Sequence, residues 1–216
     1  RTAIIAPVHK SGEKTDPQNK RPVSLTAVSS KILERIIVDE IYLDANTQGL
    51  ISDCQFAYRP GRSTTQCILE FLNDVALELN DRTPVDTMYF DLKNAFETCD
   101  HGILLAELTR MGVGRQLARW IADFLSDRTF RVRVGGSLSS PVRATCGTPQ
   151  GTVLGAMCFI MYMDSVKTIF PPKVHFKIYA DDVRIYSAVR DETDRAALQD
   201  AANRFQAWTE SMGLTI

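Results

Sequence analysis

Apolar and polar residues recur along this chain with two different periods, and each change of period marks the edge of an element. Thr2 to Val8 is apolar and β-branched and reads as a strand, with the polar stretch Lys10 to Lys20, containing Gly12 and Pro17, as the turn beyond it. From Ser30 the spacing becomes helical, with Ile32, Leu33, Ile36, Ile37 and Ile41 on one side and Gly49 as a stop. Ser63 or Thr64 caps a second helix carrying Ile68, Phe71, Leu72, Val75 and Leu79.

Val85 to Leu92 returns to strand pattern and ends on Asp91, and paired short helices follow from His101 to Met111 and from Arg115 to Leu125, separated by Gly112 and Gly114. Thr129 to Val134 alternates Phe130, Val132 and Val134 with Arg131 and Arg133; Gly135-Gly136 then predicts a hairpin back through Pro141 to Thr145, Arg-rich on one face. A helix over Thr152 to Val166, strands at Val174 to Tyr179 and Val183 to Ala188 joined at Asp181-Asp182, and a final helix over Asp194 to Met212 complete the pattern. Mixed in this order, the elements imply an α+β fold with helices on one face of a sheet.

At 216 residues the chain suits one large domain or two small ones sharing a core. Its 44% hydrophobic and 24% charged residues are those of an ordinary globular protein, which excludes collagen-like, low-complexity and disordered classes. A net charge of -1 argues against a nucleic-acid partner until the distribution is considered. Residues 1 to 31 carry six Lys or Arg against Glu13 and Asp16, residues 110 to 143 carry seven Arg against Asp123 and Asp127, and residues 70 to 107 hold nine acids against Arg82 and Lys93. Such blocks also arise as solvated helix faces.

Five cysteines without a C-x-x-C pair, and with no His at zinc-ligand spacing, point to reduced intracellular thiols. The longest apolar stretch, Thr152 to Met163, is short of the roughly 20 residues that span a bilayer, so no membrane partner is expected. The start at Arg1, without a signal peptide, and the strand-like end at Leu214-Thr215-Ile216 suggest a fragment of a longer protein.

Two strands end on acids. Asp181 and Asp182 interrupt the β-prone run Phe176 to Tyr186, and adjacent carboxylates repel unless a hard cation such as Mg²⁺ compensates them, although Asp-Asp is also good turn chemistry. Asp91 closes the run Met88 to Asp91; alone it also suits a helix N-cap. Side by side in one sheet, the two acid-tipped strands can converge on metal ions about 4 Å apart, the geometry of in-line phosphoryl displacement. Gly147-Thr148-Pro149-Gln150-Gly151 then leads into a helix, its glycines permitting close approach of a backbone or ligand.

The ordered set Arg21-Pro22-Val23-Ser24-Leu25, Phe56 to Thr64, Phe90-Asp91 to His101, Thr148-Pro149-Gln150-Gly151 and Tyr179-Ala180-Asp181-Asp182 resembles the reverse transcriptase domain of LINE-type, non-LTR retrotransposons, over nearly the whole chain. The resemblance implies a right-hand polymerase fold, with fingers over residues 1 to 68, palm over 69 to 216 and no thumb. It implies an RNA-directed DNA polymerase that joins a dNTP to a primer 3′-hydroxyl, with Asp91, Asp181 and Asp182 as catalytic ligands of a pair of Mg²⁺ ions, Mn²⁺ being a substitute. Lys10 and Arg21 would meet the incoming triphosphate, Phe96 would exclude a ribose 2′-hydroxyl, and Gln150 and Gly151 would line the nucleotide site. Tyr179 would lie beside the primer terminus, and Arg59, Gly61 and Arg62 near the template; Phe56 and Tyr58 suit a core equally well. Arg128, Arg131 and Arg133 are further backbone-contact candidates read from charge alone.

Partners implied are an RNA template, a DNA primer, dNTP and further domains of a parent polyprotein, including a thumb and an endonuclease, with residence in nucleus and cytoplasm. The sequence departs from the family at Glu97 and Cys99, where Asp and Val are usual. A non-catalytic, domesticated or decayed relic and an RNA-dependent RNA polymerase stay open as alternatives, distinguishable by primer extension and by nucleotide preference.

Overall fold

The computed structural model describes residues 2–216, the side chain of Asp44 excepted; Arg1, counted above in the first basic segment, lies outside the described residues. Strands β1 (Thr2–His9) and β2 (Lys20–Leu25) pair antiparallel, with Ile5 opposite Ser24 and Val8 opposite Arg21. Asp16 accepts from the Gln18 amide and starts a single 3-10 turn in their connection. Helices α1 (Val28–Thr47) and α2 (Thr64–Asn80) follow. Ser63, not Thr64, is the N-cap of α2, its hydroxyl accepting from Gln66 N.

Next come β3 (Val85–Asp91), the short α3 (Ala95–Thr98), α4 (His101–Arg110) and α5 (Arg115–Leu125), then β4 (Thr129–Val134), β5 (Ser137–Leu138) and β6 (Val142–Arg143). Beyond these lie α6 (Val153–Met163), β7 (His175–Tyr179), β8 (Asp182–Ala188) and α7 (Glu192–Ser211). The expected single helix over Thr152 to Val166 ends at Met163 and tightens into a 3-10 turn over Asp164–Thr168. The expected hairpin is two short returns, β5 on the far end of β4 and β6 on its start.

Two sheets result. One has the order β2-β1-β4-β5 with β6 also on β4, and its β1 and β4 run parallel, Ile4 opposite Arg131. This sheet joins the first segment of the chain to residues 129 to 143, across the boundary expected near residue 68. The other is antiparallel, order β3-β8-β7.

Below the antiparallel sheet lies the core. Helix α6 is buried along almost its whole length, in keeping with an apolar stretch too short for a membrane; no helix among the described residues is long and apolar enough to cross one. Helix α7 crosses the same face, where the Phe205 ring meets Phe90 with centroids 4.6 Å apart. Tyr186 points to the opposite face and meets Phe71 of α2 edge-on at 5.0 Å, its hydroxyl donating to Asp74. Helix α2 therefore covers the far end of the upper face and leaves the end that carries Asp91 open.

The helical apolar patterns are only partly spent inside. On α1, Ile41 and Ala45 are buried, whereas Ile32, Leu33 and Ile36 face outward; α2 buries no residue fully, and Ile68, Leu72 and Leu79 are exposed. Both helices form where the spacing places them, but much of their apolar side stays outside the core.

Candidate functional site

Strand pairing itself brings two of the three expected acids together. Asp91, last residue of β3, is the direct cross-strand partner of Asp182, first residue of β8, and Tyr179 of β7 partners Asp182 on its other side. Asp91 thus ends a strand, and the alternative of a helix cap falls away: Asn94 occupies the N-cap of α3. Like charges directly opposite on one face repel.

Ala180 and Asp181 make the tight turn between β7 and β8, and Ala180 has φ 58, a left-handed conformation that costs a residue with a Cβ about 1–2 kcal/mol. Gln55 holds that turn in place. It is 3% exposed, and its Oε1 accepts from Ala180 N at 3.1 Å and from Ala57 N at 3.0 Å. Residues 54 to 56 run beside β7, with Phe56 N donating to Ile178 O at 2.9 Å and Ile178 N to Cys54 O at 2.8 Å. Sequence reading passed over Gln55, because one amide in a loop carries no periodic signal.

Asp181 is half-buried; that burial, with the carboxylates of Asp182 and Asp91 beside it, pushes its carboxyl above the ordinary range, against the pull of Lys10. All the donors in this set are oxygens, the set a hard divalent cation prefers. Their backbones are adjacent, but among the described residues no three Asp, Glu, His or Cys side chains are gathered closely enough to hold a metal ion as placed. The fit lies in donor chemistry and strand register, and the Asp91 and Asp182 side chains are exposed.

Beside the acids opens a cleft of about 940 Å³. Lys10 and Arg21 from the β1–β2 region, Phe96, Gln150, Gly151 and Asp181 line it, as do Arg59 and Arg62; Asp91, Asp182, Tyr179 and Gly61 do not. Seven basic side chains (Lys10, Lys20, Arg21, Lys31, Arg35, Arg59 and Arg62) face it against Glu97 and Asp181, so a chain of nearly zero net charge presents a cationic wall here.

The Gly147 to Gly151 loop is tied on both sides. Thr148 N donates to Phe96 O at 2.7 Å, Gly147 N to Cys99 O at 2.8 Å, and His101 Nε2 lies 2.9 Å from Gly147 O. Across the cleft Ser24 N donates to Gln150 O at 2.8 Å. Gly147 has φ 84, and a Cβ there would stand 2.7 Å from Glu97 O, which is why the loop has glycine at that point. Glu97 accepts from Gln150 Nε2 at 2.7 Å, so the family departure at this position lies in the cleft and orients the Gln150 amide. Burial and nearby Asp181 raise the Glu97 carboxyl above its usual range, opposed by Lys10 and Arg21. The Phe96 ring stacks on Phe159 of α6 at 3.9 Å and meets Tyr58 edge-on at 6.2 Å. Phe56 is fully buried, while Tyr58 is 55% exposed and lines the cleft.

Two of the expected template residues are held by their own loop. Arg59 is 8% exposed and donates to Ser52 O at 2.6 Å and Gln55 O at 3.2 Å, and Arg62 pairs with Asp53 at 2.9 Å and Glu70 at 3.5 Å. Gly61, between them, has φ 73 and open space at its Cα. Arg128 donates to Phe124 O and Arg131 to Ser139 O, leaving Arg133 the more exposed of the three arginines read from charge alone. All five cysteines are free thiols.

An antiparallel sheet with adjacent acids at its hairpin, beside a basic cleft, is an arrangement whose donor chemistry suits two-metal phosphoryl displacement. The chain belongs to the reverse transcriptase (RNA-dependent DNA polymerase) family, whose sequence model matches residues 8–216. It is 28% identical over 218 residues to a probable RNA-directed DNA polymerase from transposon X-element of Drosophila melanogaster, covering 99% of this chain and 24% of that protein. It is also 28% identical over 224 residues to the RNA-directed DNA polymerase from mobile element jockey of the same species, covering 100% and 24%. The chain therefore spans about a quarter of the length of the curated relatives it matches. Among solved structures it matches apo telomerase from Candida tropicalis with a TM-score of 0.66 at 14% identity, covering 99% of this chain and 43% of that one. Telomerase from Candida albicans, solved in complex with a fragment of telomeric RNA, gives 0.66 at 10%, covering 93% and 38%. These last likenesses show the fold. The family generally works with divalent metal ions.

Proposed function

We propose that this chain is the fingers and palm of an RNA-directed DNA polymerase from a non-LTR retrotransposon, adding deoxynucleotides to a primer 3′-hydroxyl on an RNA template. The observation that carries the reading is the register of Asp91 against Asp182, with Asp181 turned into a cleft walled by cations. Names of the relatives support both the reaction and the RNA template. The fingers are taken as residues 1 to 68 and the palm as 69 to 216, with the β4 to β6 strands lying on the fingers sheet.

Asp91, Asp181 and Asp182 would hold a pair of Mg²⁺ ions, which when bound neutralise phosphate charge and lower the pKa of the attacking hydroxyl. Lys10 and Arg21 reach the triphosphate from the opposite wall, Arg21 through its planar fork and Lys10 as a point charge. Gln150 and Gly151, braced between Ser24 and Glu97, form the floor under the nucleotide. Phe96, stacked on Phe159, would exclude a ribose 2′-hydroxyl, and Tyr179, the cross-strand neighbour of Asp182, would lie beside the primer end. Arg59 and Arg62 shape the loop along the template by holding its carbonyls and acids. Residence in nucleus and cytoplasm is proposed on the family likeness alone.

Primer extension on an RNA template by the full-length parent chain tests the reading. Extension is expected with Mg²⁺ and lost in Asp181→Ala; unchanged extension in that variant would refute the mechanism.

A further inference from the structure

The upper face of the antiparallel sheet carries a second row of residues directly behind the acids. Tyr179, Asp182 and Asp91 are cross-strand neighbours, and one step back the neighbours are Lys177, Arg184 and Tyr89. Two residues along a strand span about 6.7 Å, so the second row lies on the order of two nucleotide steps from the first, counted as rise along a duplex axis.

The two cations of that row are in opposite circumstances. Lys177 is neutralised by Glu70 at 3.2 Å and Asp74 at 3.4 Å, both from α2. Arg184 has no carboxylate partner among the described residues; instead its guanidinium lies 4.0 Å from the Phe71 ring centroid and 4.2 Å from that of Tyr89. Two aromatic rings thus pack against this planar cation without neutralising it, so its N–H donors keep their capacity for an anion. Tyr89 is 65% exposed and borders the open end of the sheet, where α2 no longer covers it. A half-buried arginine with no carboxylate partner among the described residues suits a bidentate phosphate contact. It also offsets the repulsion that the three acids exert on any phosphate chain approaching them.

Resting on the polymerase reading above, we propose that Arg184, packed against Phe71 and Tyr89, binds a backbone phosphate of the primer strand within the last three linkages before its 3′ end, with Tyr89 packed against the adjoining sugar. Arg184 is then a positioning residue: it aligns the primer terminus over Asp91 and Asp182 without touching the reacting atoms.

The experiment uses the full-length parent chain, as wild type and Arg184→Met. Each binds RNA-templated primers that are native or carry one neutral methylphosphonate at the first, second or third linkage from the 3′ end. At one linkage, neutralisation should weaken wild-type binding roughly tenfold, as expected for a hydrogen bond to a charged group. It should leave Arg184→Met unaffected, and the dependence of log K on log salt should be shallower by about one unit in the variant. Equal losses in both proteins, or no loss in the wild type at any of the three linkages, overturns the proposal. Arg184→Lys, which keeps the charge but loses the planar fork, is run in the same scan, so that the contact is assigned even if Arg184→Met does not fold: a reduced linkage effect is expected, and an unreduced one overturns the proposal. Wild-type extension of the native primer is measured in parallel. Extension without a linkage effect refutes the Arg184 contact alone, whereas a linkage effect without extension refutes the polymerase reading and leaves the contact standing.

Discussion

Asp91 and Asp182 stand directly opposite each other at the open end of the β3–β8 ladder, so the backbone register alone sets two carboxylates side by side. With Asp181 half-buried next to them, the fold keeps three like charges together. This arrangement costs stability until a cation is bound.

That cost has a sign that can be measured. Burial and its acid neighbours raise the Asp181 carboxyl in the folded state above its unfolded value of roughly 3.9. Stability from the protonated acid is therefore full below that value and lost as pH rises through the raised folded one. Without divalent cation, Asp181→Asn should melt about 2 °C higher than wild type at neutral pH, a figure discounted for the solvent still reaching the group. The gap should close as pH falls toward 4. Mg²⁺ should then raise the wild-type midpoint and leave the variant where it was. A wild type that melts above Asp181→Asn at pH 7 in EDTA contradicts the account.

Gln55 supports the same turn from behind. Gln55→Leu would leave the amides of Ala57 and Ala180 without their acceptor in a buried setting, costing about 2–6 kcal/mol at about 1–3 per orphaned group. Since Ala180 holds its left-handed φ only under this constraint, the turn that carries Asp181 should loosen. Thermal melting should show the destabilisation, and kcat should fall with primer–template affinity unchanged. A variant with wild-type kcat would show that the Gln55 contact is not needed to place the acids.

How much of this was legible beforehand depended on range along the chain. The cap at Ser63 and the acid-tipped strands were readable because capping and alternation are local, and each acts within a few residues. The parallel pairing of β1 with β4 unites residues more than a hundred positions apart, and no periodicity in either strand specifies that partner. Ile32 and Ile36 matched a helical face but lie outside, since helical spacing says which residues share a side and not which side is covered. Arg59 illustrates the same limit at the site. Its place in a motif was visible, whereas its inward turn onto Ser52 O and Gln55 O follows from the loop's path beside β7.

Stacking on Phe159 and an edge contact with Tyr58 hold the Phe96 ring at the cleft wall, where the proposed function has it exclude a ribose 2′-hydroxyl. Phe96→Val should open that wall and raise ribonucleotide incorporation relative to deoxynucleotide by about tenfold or more, within the range that one shaped apolar contact discriminates. Competing single-nucleotide incorporation measures the ratio. No change would mean that the ring serves the core and that the sugar is sensed elsewhere.

Glu34 provides the last case, because an acid buried in α1 governs a loop that it does not belong to. It is 1% exposed, and its Oε2 accepts from Val153 N at 2.8 Å and Leu154 N at 3.2 Å, while Ser30 Oγ donates to its Oε1 at 3.0 Å. Thr152 Oγ1 accepts from Gly155 N, so the two side chains together satisfy three of the four free amides at the start of α6. The positive end of the helix dipole also favours the Glu34 charge. Glu34→Ala orphans two amides and should cost about 2–6 kcal/mol. Glu34→Gln keeps an acceptor oxygen and loses mainly the charge, costing about 1 kcal/mol. Because α6 begins where the Gly147 to Gly151 loop ends, Glu34→Ala should also raise the KM for dNTP more than it lowers kcat. Equal melting of the Ala and Gln variants would show that the carboxylate is not acting as the cap of α6.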